Sequence, residues 1–137
     1  MTDPVIVKER AGGKYTQDVN TPRHHLFADE PKSYGSADIG PAPYELLCAS
    51  LGACTSITLR MYVERKGWSV DNIAVKVTHK KMKYSELPPK DVFTREITIT
   101  GDVDAAQRAR MIVIANKCPV HRTLEASSDI ETHEAHG

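Results

Sequence analysis

Hydrophobic and polar positions change period several times along this chain, and each change marks an element. Pro4-Val-Ile-Val-Lys-Glu9 is β-branched and predicts a short strand. Ala11-Gly-Gly-Lys14 predicts a hairpin turn, and the run from Lys14 to Val19 returns from it. Arg23-His-His-Leu-Phe-Ala28 predicts a third strand with mixed facing. Asp29 to Pro43 holds three prolines and two glycines and reads as a loop. It leads to the longest apolar stretch, Pro43 to Lys66. Pro43 fits the first turn of a helix, where its missing N–H is not needed. Gly67 fits the left-handed stop, and Arg65 and Lys66 suit the negative end of the dipole. A helix of about 24 residues is a rod of roughly 36 Å. From Leu46 to Ala53 it is apolar or small on every side, which predicts burial in a core or in a membrane. Glu45, Arg60 and the Ser/Thr content argue against a membrane span.

The second half returns to strand periodicity. Ile73 to Lys80 is β-branched and predicts a strand. Lys80-Lys-Met-Lys and Glu86-Leu-Pro-Pro-Lys make a charged connector. Val92 to Thr100 alternates with period two, so one face is buried and one wet. Asp104 can cap a helix, with Gln107 at the capping-box position. Ala105 to Asn116 then places Ala109, Ile112 and Val113 on one side at helical spacing. Cys118-Pro119 opens a short further turn, His121 to Glu125. Ser128 to Thr132 predicts a last strand, and the tail from His133 to Gly137 is expected to fray. The order β-β-β-α-β-β-α-(α)-β is α+β, with sheets covering a long buried helix. The reading is one domain over 1–137. Residues 1–40 are its amino-terminal β region, 43–66 its central helix and 70–137 its carboxy-terminal β-β-α-β part.

Composition narrows the function classes. The 137 residues carry 18 basic and 18 acidic side chains, so formal charge is zero. No basic cluster points to nucleic acid. The first residues lack the charged start and apolar run of a signal peptide, so the cytosol is the expected compartment. Three cysteines in such a chain read as free thiols rather than a disulfide framework.

Those thiols are the candidate chemistry. On an ideal helix Cys54 shares a face with Leu47, Ser50, Leu51, Ile57, Thr58 and Met61. That setting suits a small buried hydrophobe as well as a nucleophile. Cys48 lies six residues earlier, about 120° round the helix and about 9 Å along it. The gap exceeds a disulfide's reach, so Cys48 reads as core. Cys118 differs, because it precedes Pro119 at a helix boundary where free N–H groups point at the sulfur. Such a place lowers a thiol pKa. Two arrangements fit: Cys54 and Cys118 as a redox pair, or Cys118 and His121 binding a metal with Cys54 or Cys48.

Gly40-Pro-Ala-Pro-Tyr-Glu-Leu-Leu-Cys-Ala-Ser-Leu-Gly-Ala-Cys54-Thr, followed at a distance by Ala115-Asn-Lys-Cys118-Pro-Val-His, resembles the OsmC/Ohr family (osmotically inducible protein C and organic hydroperoxide resistance proteins). Asp29-Glu-Pro ahead of the first motif is more similar to the broad OsmC-like branch. The resemblance implies an intertwined homodimer with sheets wrapped around paired central helices and two active sites at the interface. It implies thiol-dependent reduction of hydroperoxides, preferably organic ones, and so a role in oxidative-stress defence. Cys54 matches the peroxidatic cysteine and Cys118 the resolving one. An external dithiol of lipoyl type would reduce their disulfide, with no metal or flavin. The family also uses an acid and an arginine. Its glutamate follows the proline directly, whereas here Tyr44 does and Glu45 comes one place later, about 100° round the helix. Glu45 stands nine steps from Cys54, about 180° away and roughly 13 Å up the axis, so it could serve Cys54 only from a partner chain. Tyr44 is the alternative, and a helix-start carboxylate favoured by the dipole is the simpler role for Glu45. The arginine is assigned to Arg23, with Lys14, His24 and His25 as substitutes. A module of the same fold that binds a small hydrophobic ligand at the dimer interface is the alternative function.

Overall fold

A computed structural model describes residues 2–81 and 90–135. They form two compact units, Met1–Cys48 and Ala49–Gly137. The charged connector expected between Lys80 and Lys90 falls mostly on 82–89 and lies outside the described residues.

The first unit is a three-stranded antiparallel sheet in the order β1-β2-β3. Its strands are β1 (Ile6–Glu9), β2 (Gln17–Asn20) and β3 (His25–Ala28). The hairpin turn falls where Gly12 supplies a positive φ of 89°. β3 starts two residues later than expected. Thr21 and His24 close a turn through Thr21 N–H to His24 O at 2.9 Å and His24 N–H to Thr21 Oγ1 at 2.9 Å. Arg23 therefore sits exposed in that turn and not on a strand.

A buried carboxylate organises the loop after β3. Asp29 is 2 % exposed and accepts from Thr16 Oγ1 at 2.9 Å, Glu30 N–H at 2.8 Å, Ile39 N–H at 3.2 Å and the Ser36 hydroxyl. The Ser36 oxygen in turn accepts from Tyr15 N–H at 3.1 Å. A buried carboxylate is tolerated only when hydrogen-bonded like this. A short 3-10 turn, Lys32–Tyr34, lies inside the loop so pinned.

Helix α1 (Pro43–Lys66) runs across the boundary between the units. Its ends follow the sequence signals. Gly67 has φ 68°, Gly67 N–H reaches Glu64 O at 3.2 Å and Trp68 N–H reaches Val63 O at 3.0 Å, the paired bonds of a Schellman stop. Burial departs from expectation. Leu51, Gly52, Thr55, Leu59, Tyr62 and Val63 are buried, but Leu47, Ile57 and Met61 are exposed. The helix is long and apolar enough to cross a membrane. Only one stripe of it is used by the chain's own core, because a single two-stranded sheet and one helix can cover only one side.

The second unit continues with β4 (Ser69–Lys80) and β5 (Val92–Asp102), an antiparallel pair. Its register puts Ile73, Val75 and Val77 opposite Ile99, Ile97 and Arg95 on the inward face. Both strands are longer than predicted. α2 (Ala105–Ala115) begins with the expected capping box: Gln107 N–H reaches Asp104 Oδ1 at 2.8 Å, and Asp104 N–H reaches Gln107 Oε1 at 2.8 Å. The inward face of α2 is not the predicted one. Met111, Ile114 and Ala115 are buried, while Ile112 and Val113 are about half exposed. The predicted set lies one step round the helix, and packing against Leu59, Val63 and Ile99 selects the other stripe. α3 (Pro119–Glu125) follows directly. The last predicted strand is absent. Residues 127–135 take no regular structure and Ile130 is 89 % exposed. A strand needs a partner ladder, and Ser128-Asp-Ile-Glu-Thr132 offers one apolar side chain to bury.

The core is Leu59, Tyr62, Val63, Val70, Ile99, Met111, Ile114 and Ala115. Each large side chain buried there contributes about 1.5–3 kcal/mol. Gly52 sets how closely α1 lies on β4, since a Cβ there would stand 3.2 Å from Val77 Cγ2.

The Asp29 knot generates a pH prediction. Burial alone would push the carboxyl up, but hydrogen bonds from Ser36, the Glu30 and Ile39 N–H groups and Thr16 reverse this and hold it at about 2, against an ordinary 3.8. A folded value below the unfolded one stabilises the fold above the unfolded pKa. That stability is lost as pH falls from about 4 towards 2. Amide exchange in β2 and β3 should accelerate across that window, and Asp29→Asn should weaken the acid response while loosening the loop at neutral pH. Equal acid profiles for the two proteins would refute this.

Candidate functional site

The carboxy-terminal unit brings Cys54 and Cys118 together. Cys54 sits midway along α1 and is half-buried, and Cys118 precedes α3 and is fully buried. The two thiols lie close enough for each to perturb the other's ionisation. Both cysteines are free thiols, as is Cys48, which belongs to the amino-terminal unit.

Cys118 occupies the N-cap position that its neighbour Pro119 dictates. Proline at the first helical position leaves the next N–H groups free, and His121 N–H points at Cys118 Sγ at 3.4 Å. Thr55 lies one step from Cys54 on the buried side of α1, and its Oγ1 stands 3.9 Å from the same sulfur. That hydroxyl has one proton, and Leu51 O at 2.6 Å is the nearer acceptor. The contact of Thr55 with the sulfur is therefore weak.

Arg95 is the cation of the site, and the sequence reading missed it. It projects from β5 and makes four hydrogen bonds. Nη1 donates to Thr55 Oγ1 at 3.0 Å and to Ala115 O at 3.0 Å. Nη2 donates to Asn116 Oδ1 at 3.0 Å and to His121 Nδ1 at 2.6 Å. One guanidinium thus ties β5 to α1 and to the corner between α2 and α3. A signal was present in the sequence. Arg95 falls in phase with Phe93, Ile97 and Ile99, the inward positions of an alternating strand. A cation at an inward position needs partners inside.

The same bonds fix His121. Its Nδ1 accepts from Arg95, so the ring proton is on Nε2, which donates to Glu125 Oε2 at 3.1 Å. Both ring nitrogens are occupied and neither faces a sulfur. The alternative in which His121 and the cysteines hold a metal is not built this way. Among the described residues, no group of three or more His, Cys, Asp or Glu side chains is placed to hold a metal ion.

The electrostatics of the pair are unequal. Burial pushes the Cys118 thiol up, but hydrogen bonds from Cys54, His121 N–H, Thr55 and Val120 N–H outweigh it and hold the thiol below its usual range. Burial and the hydrogen bond to Cys118 push Cys54 above its usual range, and Val120 N–H and the Thr58 hydroxyl offset only part of this. An open groove of about 720 Å³ is lined by Thr58, Met61, Glu64, Arg65 and Pro119, so it reaches the residue one turn after Cys54 and the residue next to Cys118.

The other expected site residues lie in the amino-terminal unit, where each makes local contacts. Glu45 Oε1 accepts from Ala42 N–H at 2.9 Å, half of a capping box at the start of α1, which is the helix-start role. Tyr44 is exposed on the first turn of α1. Arg23 and His24 are exposed in the turn before β3. His25 Nε2 pairs with Asp18 Oδ1 at 2.9 Å, and Arg10 reaches the same oxygen at 3.1 Å. Lys14 lies 5.3 Å from the centre of the Tyr15 ring.

Replacing Arg95 tests its structural part. Arg95→Ala should cost on the order of 3 kcal/mol, because it strips four hydrogen bonds from half-buried groups. Arg95→Lys should recover little, since an ammonium lacks the planar fork. Denaturant midpoints and amide exchange at His121 and Arg122 measure both effects. Unchanged exchange in Arg95→Ala would show the tie to be dispensable.

Comparison with known proteins follows this geometry. The family model described as OsmC-like protein matches residues 35–133. Among curated proteins, none matches the sequence. Solved structures share the fold at low identity. The OsmC-like protein of Mycoplasma pneumoniae superposes with a TM-score of 0.72 at 17% identity, covering 91% of this chain and 89% of that one. An organic hydroperoxide resistance protein OsmC from Legionella pneumophila gives 0.64 at 18% identity, covering 88% of each chain. An OsmC-like hydroperoxide resistance protein from Jannaschia sp. CCS1 gives 0.56 at 22% identity, covering 93% and 89%. The match over residues 35–133 includes both Cys54 and Cys118, and the chain belongs to the OsmC-like protein family.

Proposed function

We propose that this protein reduces organic hydroperoxides with Cys54 and Cys118 and returns to the dithiol state through an external dithiol. The observation that carries this reading is the contact between a half-exposed thiol and a fully buried one. Cys54 is the more exposed of the two sulfurs and meets the peroxide. Its sulfur attacks the outer oxygen, the O–O bond breaks, an alcohol leaves and Cys54 becomes a sulfenic acid. Cys118, already in contact, displaces hydroxide from that sulfur and forms a disulfide. A dithiol of lipoyl type then reduces the disulfide by exchange. Membership of the OsmC-like family supports the reading, as do fold neighbours named hydroperoxide resistance proteins. Arg95 takes the place assigned to Arg23, holding the frame around the thiols from β5. Mild treatment with cumene hydroperoxide should give a Cys54–Cys118 disulfide by mass mapping. Peroxide consumption with a dithiol should fall at least about 10²-fold in Cys54→Ser, which removes the nucleophile. Equal consumption by wild type and Cys54→Ser would end this reading.

We also assign the exposed side of α1 to a second copy of the chain, as a homodimer. Ile57 and Met61 are 54 % and 62 % exposed there, side chains a soluble helix normally covers. Light scattering should give twice the chain mass, and Met61→Lys should shift the protein towards monomer. A wild type that is monomeric at micromolar concentration would refute the assignment.

A further inference from the structure

Closing a disulfide demands more of a fold than neighbourhood. The bond fixes two sulfurs at about 2 Å and their Cα atoms within about 7 Å. Cys54 rides on α1, and Cys118 sits at the corner between α2 and α3. Whatever sets the approach of α1 to that corner sets the approach of the sulfurs. The apolar core joins α1 to α2 through Leu59, Tyr62 and Val63, more than one turn beyond Cys54. Beside Cys54 the joint is polar, and Arg95 makes it. Its Nη1 donates to Thr55 Oγ1 at 3.0 Å, and Thr55 is the residue after Cys54. Its other bonds go to Ala115 O at 3.0 Å, Asn116 Oδ1 at 3.0 Å and His121 Nδ1 at 2.6 Å. Those three acceptors bracket Cys118, two before it in the chain and one after it. Thr55 Oγ1 also stands 3.9 Å from Cys118 Sγ, so one end of the strut lies between the two cysteines. Thr55 and Cys118 are fully buried, and β4 fixes the strand behind the strut by pairing Val77 with Arg95. All of these bonds lie within the unit Ala49–Gly137. Each Nη nitrogen of an arginine carries two hydrogens, and each here has two acceptors. The forked end of Arg95 is committed to the frame.

We propose that Arg95 is a positioning residue for disulfide closure: it holds Cys54 and Cys118 at bonding approach and takes no part in the attack on peroxide. This rests on the reading that the two cysteines pair during turnover. In the step it serves, Cys54 enters as S–OH and Cys118 as a thiol. The S–S bond forms, the S–O bond of Cys54 breaks, and the departing hydroxide leaves with the Cys118 proton as water. No electrons enter or leave the protein in this condensation, since the peroxide has already taken two from Cys54. Arg95 gives and takes no proton. It raises the effective concentration of one sulfur at the other, which favours both the rate of closure and the stability of the closed disulfide. Removing it leaves the corner free to drift from α1, so closure slows and the disulfide becomes easier to reduce.

The test has an arm without peroxide and an arm with it. In the first, the full chain is equilibrated with mixtures of reduced and oxidised dithiothreitol, quenched and alkylated, and the Cys54–Cys118 disulfide is quantified by mass. Arg95→Met, which keeps bulk but loses the donors, should lower the disulfide equilibrium constant about tenfold, a potential about 30 mV less negative. In the second arm a single turnover with cumene hydroperoxide is followed. Loss of the Cys54 thiol should keep the wild-type rate, and appearance of the disulfide should slow at least about tenfold, since a misplacement of about 1 Å can cost 10²-fold. Thr55→Val, which removes the acceptor beside Cys54, should shift both readings in the same direction. Val70→Ala, a core cavity that touches none of these bonds, should shift neither. Wild-type values in Arg95→Met, with the wild-type disulfide forming, would overturn the positioning role and leave the peroxidase reading standing. So would a slowed first step with closure unchanged, or an equal shift in Val70→Ala. A disulfide that responds to Arg95→Met under dithiothreitol, in a protein whose Cys54 ignores peroxide, would uphold the positioning role and end the peroxidase reading. A wild type that forms no Cys54–Cys118 disulfide in either arm would overturn both. Should Arg95→Met not fold, Thr55→Val decides the question by the same two readings.

Discussion

A guanidinium placed on the inward face of a sheet needs hydrogen-bond acceptors, so wherever the fold places Arg95, partners must be found. The pairing of β4 and β5 puts it on the inward face opposite Val77. Gly52 lets α1 lie close on β4 at Val77, so Thr55, three residues on, comes within reach of the guanidinium. The free end of α2 and the His121 ring supply the remaining acceptors. A strand register, a glycine and two helix ends therefore converge on one cation. The thiols sit where they do because Thr55 is the neighbour of Cys54 and the corner held by Ala115 and Asn116 leads into Cys118.

The pair so placed is asymmetric for reasons that are local and physical. Cys118 has N–H donors aimed at it because Pro119 starts a helix immediately after it. Cys54 lies mid-helix, where its own backbone N–H is already used. Burial penalises charge on both, and hydrogen bonds decide which sulfur carries it. The more accessible sulfur is thus the one that burial and its neighbour push up.

Much of the framework was legible in the chain itself. Pro43 and Gly67 mark α1 because one lacks an N–H and the other tolerates positive φ. Asp104 and Gln107 mark the start of α2 through reciprocal bonds three residues apart. Cys118-Pro119 announced a thiol facing free N–H groups, since His121 N–H, three residues on, points at its sulfur. Each of these signals acts over less than two helical turns, so sequence carries it whole.

Tertiary structure decided what local rules cannot. Met111, Ile114 and Ala115 turn inward, and Ile112 and Val113 do not, because the stripe is chosen by what packs against it. Residues 128–132 carry a single apolar side chain and have no ladder to join. Glu45 serves its own helix start, whereas Arg95, forty residues along the chain from Thr55, becomes the cation of the site. Proline, glycine and capping residues specify ends because their physics is contained in the backbone nearby. Which acceptors meet Arg95 depends on sheet register and helix approach, and those exist only once the chain has folded.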